Sequence, residues 1–80
     1  MTTAKQYKQA AELIALGRIS FCCHALQYVG GSCEEMEELF AGEPEAFLEA
    51  WMNLRGEKTE DGRERRVLAL LFMAALVEEA

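Results

Sequence analysis

Val67-Leu68-Ala69-Leu70-Leu71-Phe72-Met73-Ala74-Ala75-Leu76-Val77 is unbroken apolar sequence, with Arg63, Arg65 and Arg66 before it and Glu78 and Glu79 after it. No other stretch of the chain is as apolar, so the remaining segments must be arranged around this one. It falls well short of the ~20 residues that a bilayer-spanning helix requires. At 100° per residue, Val67, Leu68 and Leu71 share one side of a helix and Leu70, Met73 and Val77 another, with Phe72 and Leu76 filling the gap. A helix apolar all round needs cover on more than one side. The expectation is that one strip packs on Phe47, Trp51 and a second helix, and that the other is covered by a second copy or a partner.

The chain has 80 residues, enough for one domain spanning 1–80. So short a chain buries only about 60–65% of its unfolded surface, and commonly leans on a disulfide, a metal or a partner subunit. Its 51% apolar content exceeds what one small core can hide, which argues for a helical fold that also associates. The formal charge is −6, from 14 acids and 8 bases. This balance argues against direct binding of nucleic acid, which needs clustered Lys and Arg, and favours a basic protein partner. The opening Met1-Thr2-Thr3-Ala4-Lys5-Gln6 has no secretory apolar core. Three cysteines, Cys22, Cys23 and Cys33, make an odd count that fits a reducing, cytoplasmic setting.

Ala, Leu, Glu and Met dominate, and Gly recurs at the joints, which is helical composition. Thr3 with Gln6 is a capping-box pattern for a helix from about Ala4 to Leu16. Tyr7, Ala10, Ala11 and Ile14 form its apolar face and Gly17 its stop. Ser20 is the expected cap of a second helix to about Val29, with Phe21, Cys22, Ala25, Leu26 and Val29 on one face and His24 beside Tyr28 at the border. Gly30-Gly31 ends it. Ser32 and Glu35 match another capping box, opening a third helix to about Phe40 with Cys33, Met36, Leu39 and Phe40 inward. Pro44 suits the first turn of a fourth helix, running to about Leu54 or Arg55 and ended by Gly56. Phe47, Ala50, Trp51 and Leu54 make its main face. Asp61 with Glu64 is a capping pattern for the last helix, from about Gly62 to Glu78. The expected fold is therefore all-α, a compact bundle of four to five short helices around the C-terminal apolar helix.

Cys22-Cys23-His24 with Cys33 is the one group with the side chains of a zinc site. Adjacent cysteines on a helix point about 100° apart, however, and no C-x-x-C pair exists. The simpler reading is core packing or plain surface thiols, with Cys22 on the core face and Cys33 on the inner stripe of its helix. Cys23, close to a helix N-terminus, is the candidate reactive thiol. His24 reads as a boundary residue packed on Tyr28. No catalytic residue, cofactor-binding residue or metal ligand set is assigned.

Between Arg18 and Arg55 there is no Lys or Arg, whereas Glu34, Glu35, Glu37, Glu38, Glu43, Glu45 and Glu49 all fall there. Such a block is a solvated face, a docking surface for a basic partner, or a mimic of nucleic acid with carboxylates in place of phosphates. Arg63, Arg65 and Arg66 sit where the helix dipole disfavours cations, so acidic neighbours are expected for them. Trp51 could anchor a partner as readily as fill a core. The partner-binding candidates are Glu34, Glu35, Glu37, Glu38, Glu45, Trp51, Leu70, Met73 and Val77.

Gly17-Arg18-Ile19-Ser20-Phe21-Cys22-Cys23-His24-Ala25-Leu26 and Arg65-Arg66-Val67-Leu68-Ala69-Leu70-Leu71 give the chain a style that resembles small acidic helical accessory proteins of phages and prophages. The resemblance implies inhibition or redirection of host machinery by binding it, as anti-CRISPR proteins do. The function expected from the sequence is a non-enzymatic protein–protein interaction module, a homodimer or a complex subunit, with no membrane segment. The alternatives are an acidic nucleic-acid mimic and a small thiol- or zinc-dependent enzyme or sensor.

Overall fold

The Thr3 hydroxyl accepts a hydrogen bond from the Gln6 N–H at 3.1 Å, and the Gln6 side-chain oxygen accepts from the Thr3 N–H at 2.9 Å. This is the reciprocal capping box expected from the spacing, and it opens the first helix. The computed structural model describes residues 1–40 and 62–79. Among these residues there are four helices and no strand: α1 Ala4–Ala15, α2 Cys22–Tyr28, α3 Glu34–Phe40 and α4 Gly62–Glu79. The helix expected from Pro44, with Glu45, Phe47 and Trp51, lies outside the described residues, as does the Asp61 cap.

α1 and α2 end in the same way. Past Ala15, the Gly17 N–H donates to Ile14 O and the Arg18 N–H to Leu13 O, each at 3.0 Å. Past Tyr28, the Gly30 N–H donates to Gln27 O at 3.1 Å and the Gly31 N–H to Leu26 O at 2.8 Å. Both are Schellman motifs, which need a residue in the left-handed region just past the helix. Gly17 (φ 74°) and Gly30 (φ 85°) supply it, because a glycine has no Cβ to clash there.

The core is the seam between α1 and α4. Tyr7, Ala10, Ala11 and Ile14 of α1 meet Ala69, Leu70, Met73 and Ala74 of α4, with Ala25 and Leu26 of α2 and Met36 of α3 completing one cluster. Alanines on both sides of the seam let the two backbones approach closely, and the larger Tyr7, Ile14, Leu26 and Leu70 fill the space between them. Burial of an aliphatic side chain of that size contributes roughly 1.5–3 kcal/mol. The α4 strip of Leu70 and Met73 therefore faces α1 in the interior, and Val77 packs at its margin. Val67 and Leu71 also pack against the cluster, Leu68 is buried, and Leu76 is exposed. Lys8 of α1 and Glu78 of α4 form an exposed ion pair over the seam.

The N-terminus is tied down by Thr2, which is 1% exposed. Its hydroxyl donates to Ser32 O at 2.7 Å and accepts from the Ser32 N–H at 2.9 Å. Its own N–H donates to the Glu35 carboxylate at 3.1 Å. These bonds correct the expected third capping box. Ser32 accepts from the Glu34 N–H at 3.4 Å, but Glu35 turns to Thr2 rather than back to Ser32. A donor from a distant part of the chain outcompetes the local one. The second helix also starts later than expected: Phe21 is the cap residue, without a side-chain cap bond, in place of Ser20. In extended backbone (φ −120°, ψ 143°), Phe21 leaves the apolar face that the wheel assigned to it.

Candidate functional site

That shift exposes an aromatic ring. Phe21 is 57% exposed, Tyr28 75% and Leu16 62%. Leu16 caps the end of α1, Phe21 precedes α2 and Tyr28 is the last residue of α2. The two Schellman turns hold Leu16 and Tyr28, while Phe21 stands at the entry to α2, its carbonyl accepting from the Ala25 N–H at 3.0 Å.

Two shallow hollows lie among them. One is lined by Arg18, Phe21, His24 and Tyr28, with Ile19 and Gln27. The other is lined by Leu13, Leu16, Arg18 and Tyr28, with Gln9 and Glu12. Arg18 and Tyr28 belong to both, so the hollows adjoin. The His24 ring meets Phe21 edge-on, at 5.9 Å between centroids, instead of packing on Tyr28 as expected. The Arg66 guanidinium lies 5.3 Å from the centre of the same Phe21 ring. A cation over an aromatic face gains roughly 0.5–1 kcal/mol at an exposed site. It thus offsets in part the unfavourable place of Arg66 in the first turns of α4.

No family model matches the chain, and neither a curated protein nor a solved structure does so.

The acidic residues of α3 divide in two. Glu34, Glu37 and Glu38 are exposed, while Glu35 is half-buried and engaged by Thr2. Glu45 and Trp51 lie outside the described residues. Leu70 and Met73 are interior, so they hold the fold together and offer no contact area.

The cysteines differ most from the sequence expectation. Cys23, expected as a free thiol, and Cys33, expected on the inner stripe of the third helix, form a disulfide with their Cα atoms 5.2 Å apart. The Gly30-Gly31 turn returns Cys33, just before α3, to the first turn of α2 and brings the pair together. Cys22 is the free cysteine among the described residues, and it packs against the core as expected. Burial pushes its thiol pKa up from the ordinary 9.0, and the Arg66 charge only partly opposes that. Cys22 is therefore biased toward its neutral thiol form, and the candidate nucleophile Cys23 is tied to Cys33. Glu37, one turn into α3, places a carboxylate oxygen 3.4 Å from Cys23 Sγ and 3.3 Å from Cys33 Sγ. Among the described residues, Cys23, Cys33 and Glu37 are the group whose side chains could hold a metal ion, their donor atoms all lying within 4.8 Å of one another. His24, the fourth member of the sequence group, is not among them.

Nothing in the sequence pointed to Leu16 or Tyr28 as surface anchors. The Cys23–Cys33 spacing is legible in the sequence, but the direction in which the intervening turn sends the chain is not. No helix among the described residues is long and apolar enough to cross a membrane.

Proposed function

We propose that the protein is a small non-enzymatic interaction module that docks on another protein through the face of Leu16, Phe21 and Tyr28 around Arg18. The observation that carries this reading is the cluster itself. Three large apolar side chains, each more than half exposed, border two adjoining hollows. A folded chain gains nothing from exposing them unless they are covered on binding, and aromatic side chains are the usual anchors of such contacts. The exposed Glu34 and Glu38 and the net charge of −6 favour a basic partner, because complementary charge speeds encounter. Within this class, modulation of a host protein in the cytoplasm is the role suggested by the likeness of 17–26 and 65–71 to phage accessory proteins.

The test is affinity capture from cell extract with three proteins: wild type, Phe21→Ser/Tyr28→Ser, and Glu34→Lys/Glu38→Lys. Specific capture by wild type should be lost with the apolar pair replaced. It should persist, with slower association and weaker salt dependence, after the charge reversals. Light scattering on the same three proteins tells whether the partner is a second copy. Capture undiminished by Phe21→Ser/Tyr28→Ser overturns the assignment of this face. Capture abolished by charge reversal alone favours the nucleic-acid mimic instead.

A further inference from the structure

We propose that Cys23, Cys33 and Glu37 form a Zn²⁺ site in the reduced protein, and that closure of the disulfide releases the ion. The Glu37 carboxylate stands 3.3–3.4 Å from both sulfurs. When the sulfurs are bonded to each other, neither has a proton to share, and the carboxylate gains nothing from its position. When they are reduced, both approaches become attractive, either as S–H donors or through a shared cation.

The geometry suits a thiophilic divalent ion. Zn–S bonds of about 2.3 Å and Zn–O bonds of about 2.1 Å at tetrahedral angles place sulfur and oxygen ligands about 3.6 Å apart and two sulfurs about 3.8 Å apart. The sulfur–oxygen separations already approach that value. Only the two sulfurs must part, by rotation of their side chains once the bond between them is broken. Cys23 is held by the first turn of α2, and Glu37 by the first turn of α3, where its N–H donates to Cys33 O at 2.8 Å. Two thiolates and a carboxylate carry three negative charges, which repel each other without a cation and together favour one of charge +2. Both cysteines are half-buried and Glu37 is exposed, so the fourth position opens to water.

The switch needs an oxidant, and a small-molecule disulfide RSSR suffices. In the zinc-bound form one thiolate attacks RSSR, forming a mixed disulfide and expelling RS⁻. The second thiolate then attacks the mixed disulfide, forming the Cys23–Cys33 bond and expelling a second RS⁻. Two electrons pass from the cysteine sulfurs to RSSR, two protons from solvent convert the products to 2 RSH, and Zn²⁺ is freed. Excess thiol reverses the sequence and restores the site. Cys22 takes no part, because its sulfur turns to the core.

The full chain, reduced and held without oxygen, should bind one Zn²⁺ in competition with a chromophoric chelator. The Co²⁺ form should show thiolate-to-metal charge transfer with tetrahedral visible bands. Cys22→Ser should leave both unchanged. Cys23→Ser and Cys33→Ser should each abolish tight binding, and circular dichroism should show their helices retained. Glu37→Gln, at an exposed position, should weaken binding more than about tenfold. Glutathione disulfide should release the ion while the protein mass falls by two hydrogens. The proposal is overturned if reduced wild type binds no Zn²⁺, if Glu37→Gln binds as tightly, if Cys22→Ser removes binding, or if oxidation leaves the ion in place.

Discussion

The Thr2 hydroxyl both donates to the Ser32 carbonyl and accepts from the Ser32 N–H, so one side chain satisfies both backbone groups of a residue thirty positions away. This contact anchors the start of α1 to the joint between α2 and α3. Thr2→Val keeps the shape and removes both bonds, leaving two part-buried backbone groups unpaired. The expected cost is about 1–3 kcal/mol in urea denaturation, with Thr2→Ser close to wild type. A Cβ added at Gly31 would stand 2.9 Å from Thr2 Cγ2. Gly31→Ala should therefore be destabilising in wild type and less so in the Thr2→Ser background, where that methyl is gone. Strictly additive effects would refute the contact.

The α1–α4 seam predicts an asymmetry along α4. Leu70→Ala removes a fully buried side chain and should cost about 2–5 kcal/mol. Leu76→Ala, at an exposed position on the same helix, should change stability by about 0.5 kcal/mol or less. Ala10→Leu should also destabilise, by about 1–3 kcal/mol, since there is no room at the seam for four-carbon branching. Equal costs for Leu70→Ala and Leu76→Ala would mean that a different strip of α4 faces inward.

Gly30 isolates a backbone effect. Its φ is 85°, and among the described residues an added Cβ would meet only Gln6 Nε2, at an ordinary 3.6 Å. Gly30→Ala should cost about 1–2 kcal/mol from backbone conformation alone. Gly30→Asn should cost less, because Asn tolerates the left-handed region better. Thermal denaturation of the two variants at equal concentration decides the point.

Tyr7 predicts an alkaline weakening. Burial pushes its phenol pKa above the ordinary 10.0, and the Glu35 carboxylate pushes the same way. Although Thr2 approaches and opposes this, the phenol oxygen has no hydrogen-bond partner among the described residues. The unfolded chain thus ionises first. The stabilisation from this group is complete below pH 10.0 and is lost as pH rises through the folded-state value. Tyr7→Phe should be neutral or slightly stabilising at pH 7, as it deletes a buried hydroxyl without a partner. It should also flatten the loss of stability above pH 10.0. A fall of more than about 1 kcal/mol at pH 7 would show that the hydroxyl is bonded after all.

By itself the sequence determined the helical class, the Thr3–Gln6 cap, the glycine stops at Gly17 and Gly30, and the inward face of α1. All of these are local, depending on residues within a turn or two of each other. Tertiary structure alone decided which strip of α4 would meet α1, because a helix apolar all round carries no mark of its neighbour. It also decided that Glu35 would serve Thr2, that Phe21 would leave its face for solvent, and that Cys23 would lie against Cys33 and Glu37. Each of these depends on where a turn sends the chain next. A helical wheel, which places residues on one straight axis, has no means of bringing Cys33 back to the first turn of α2.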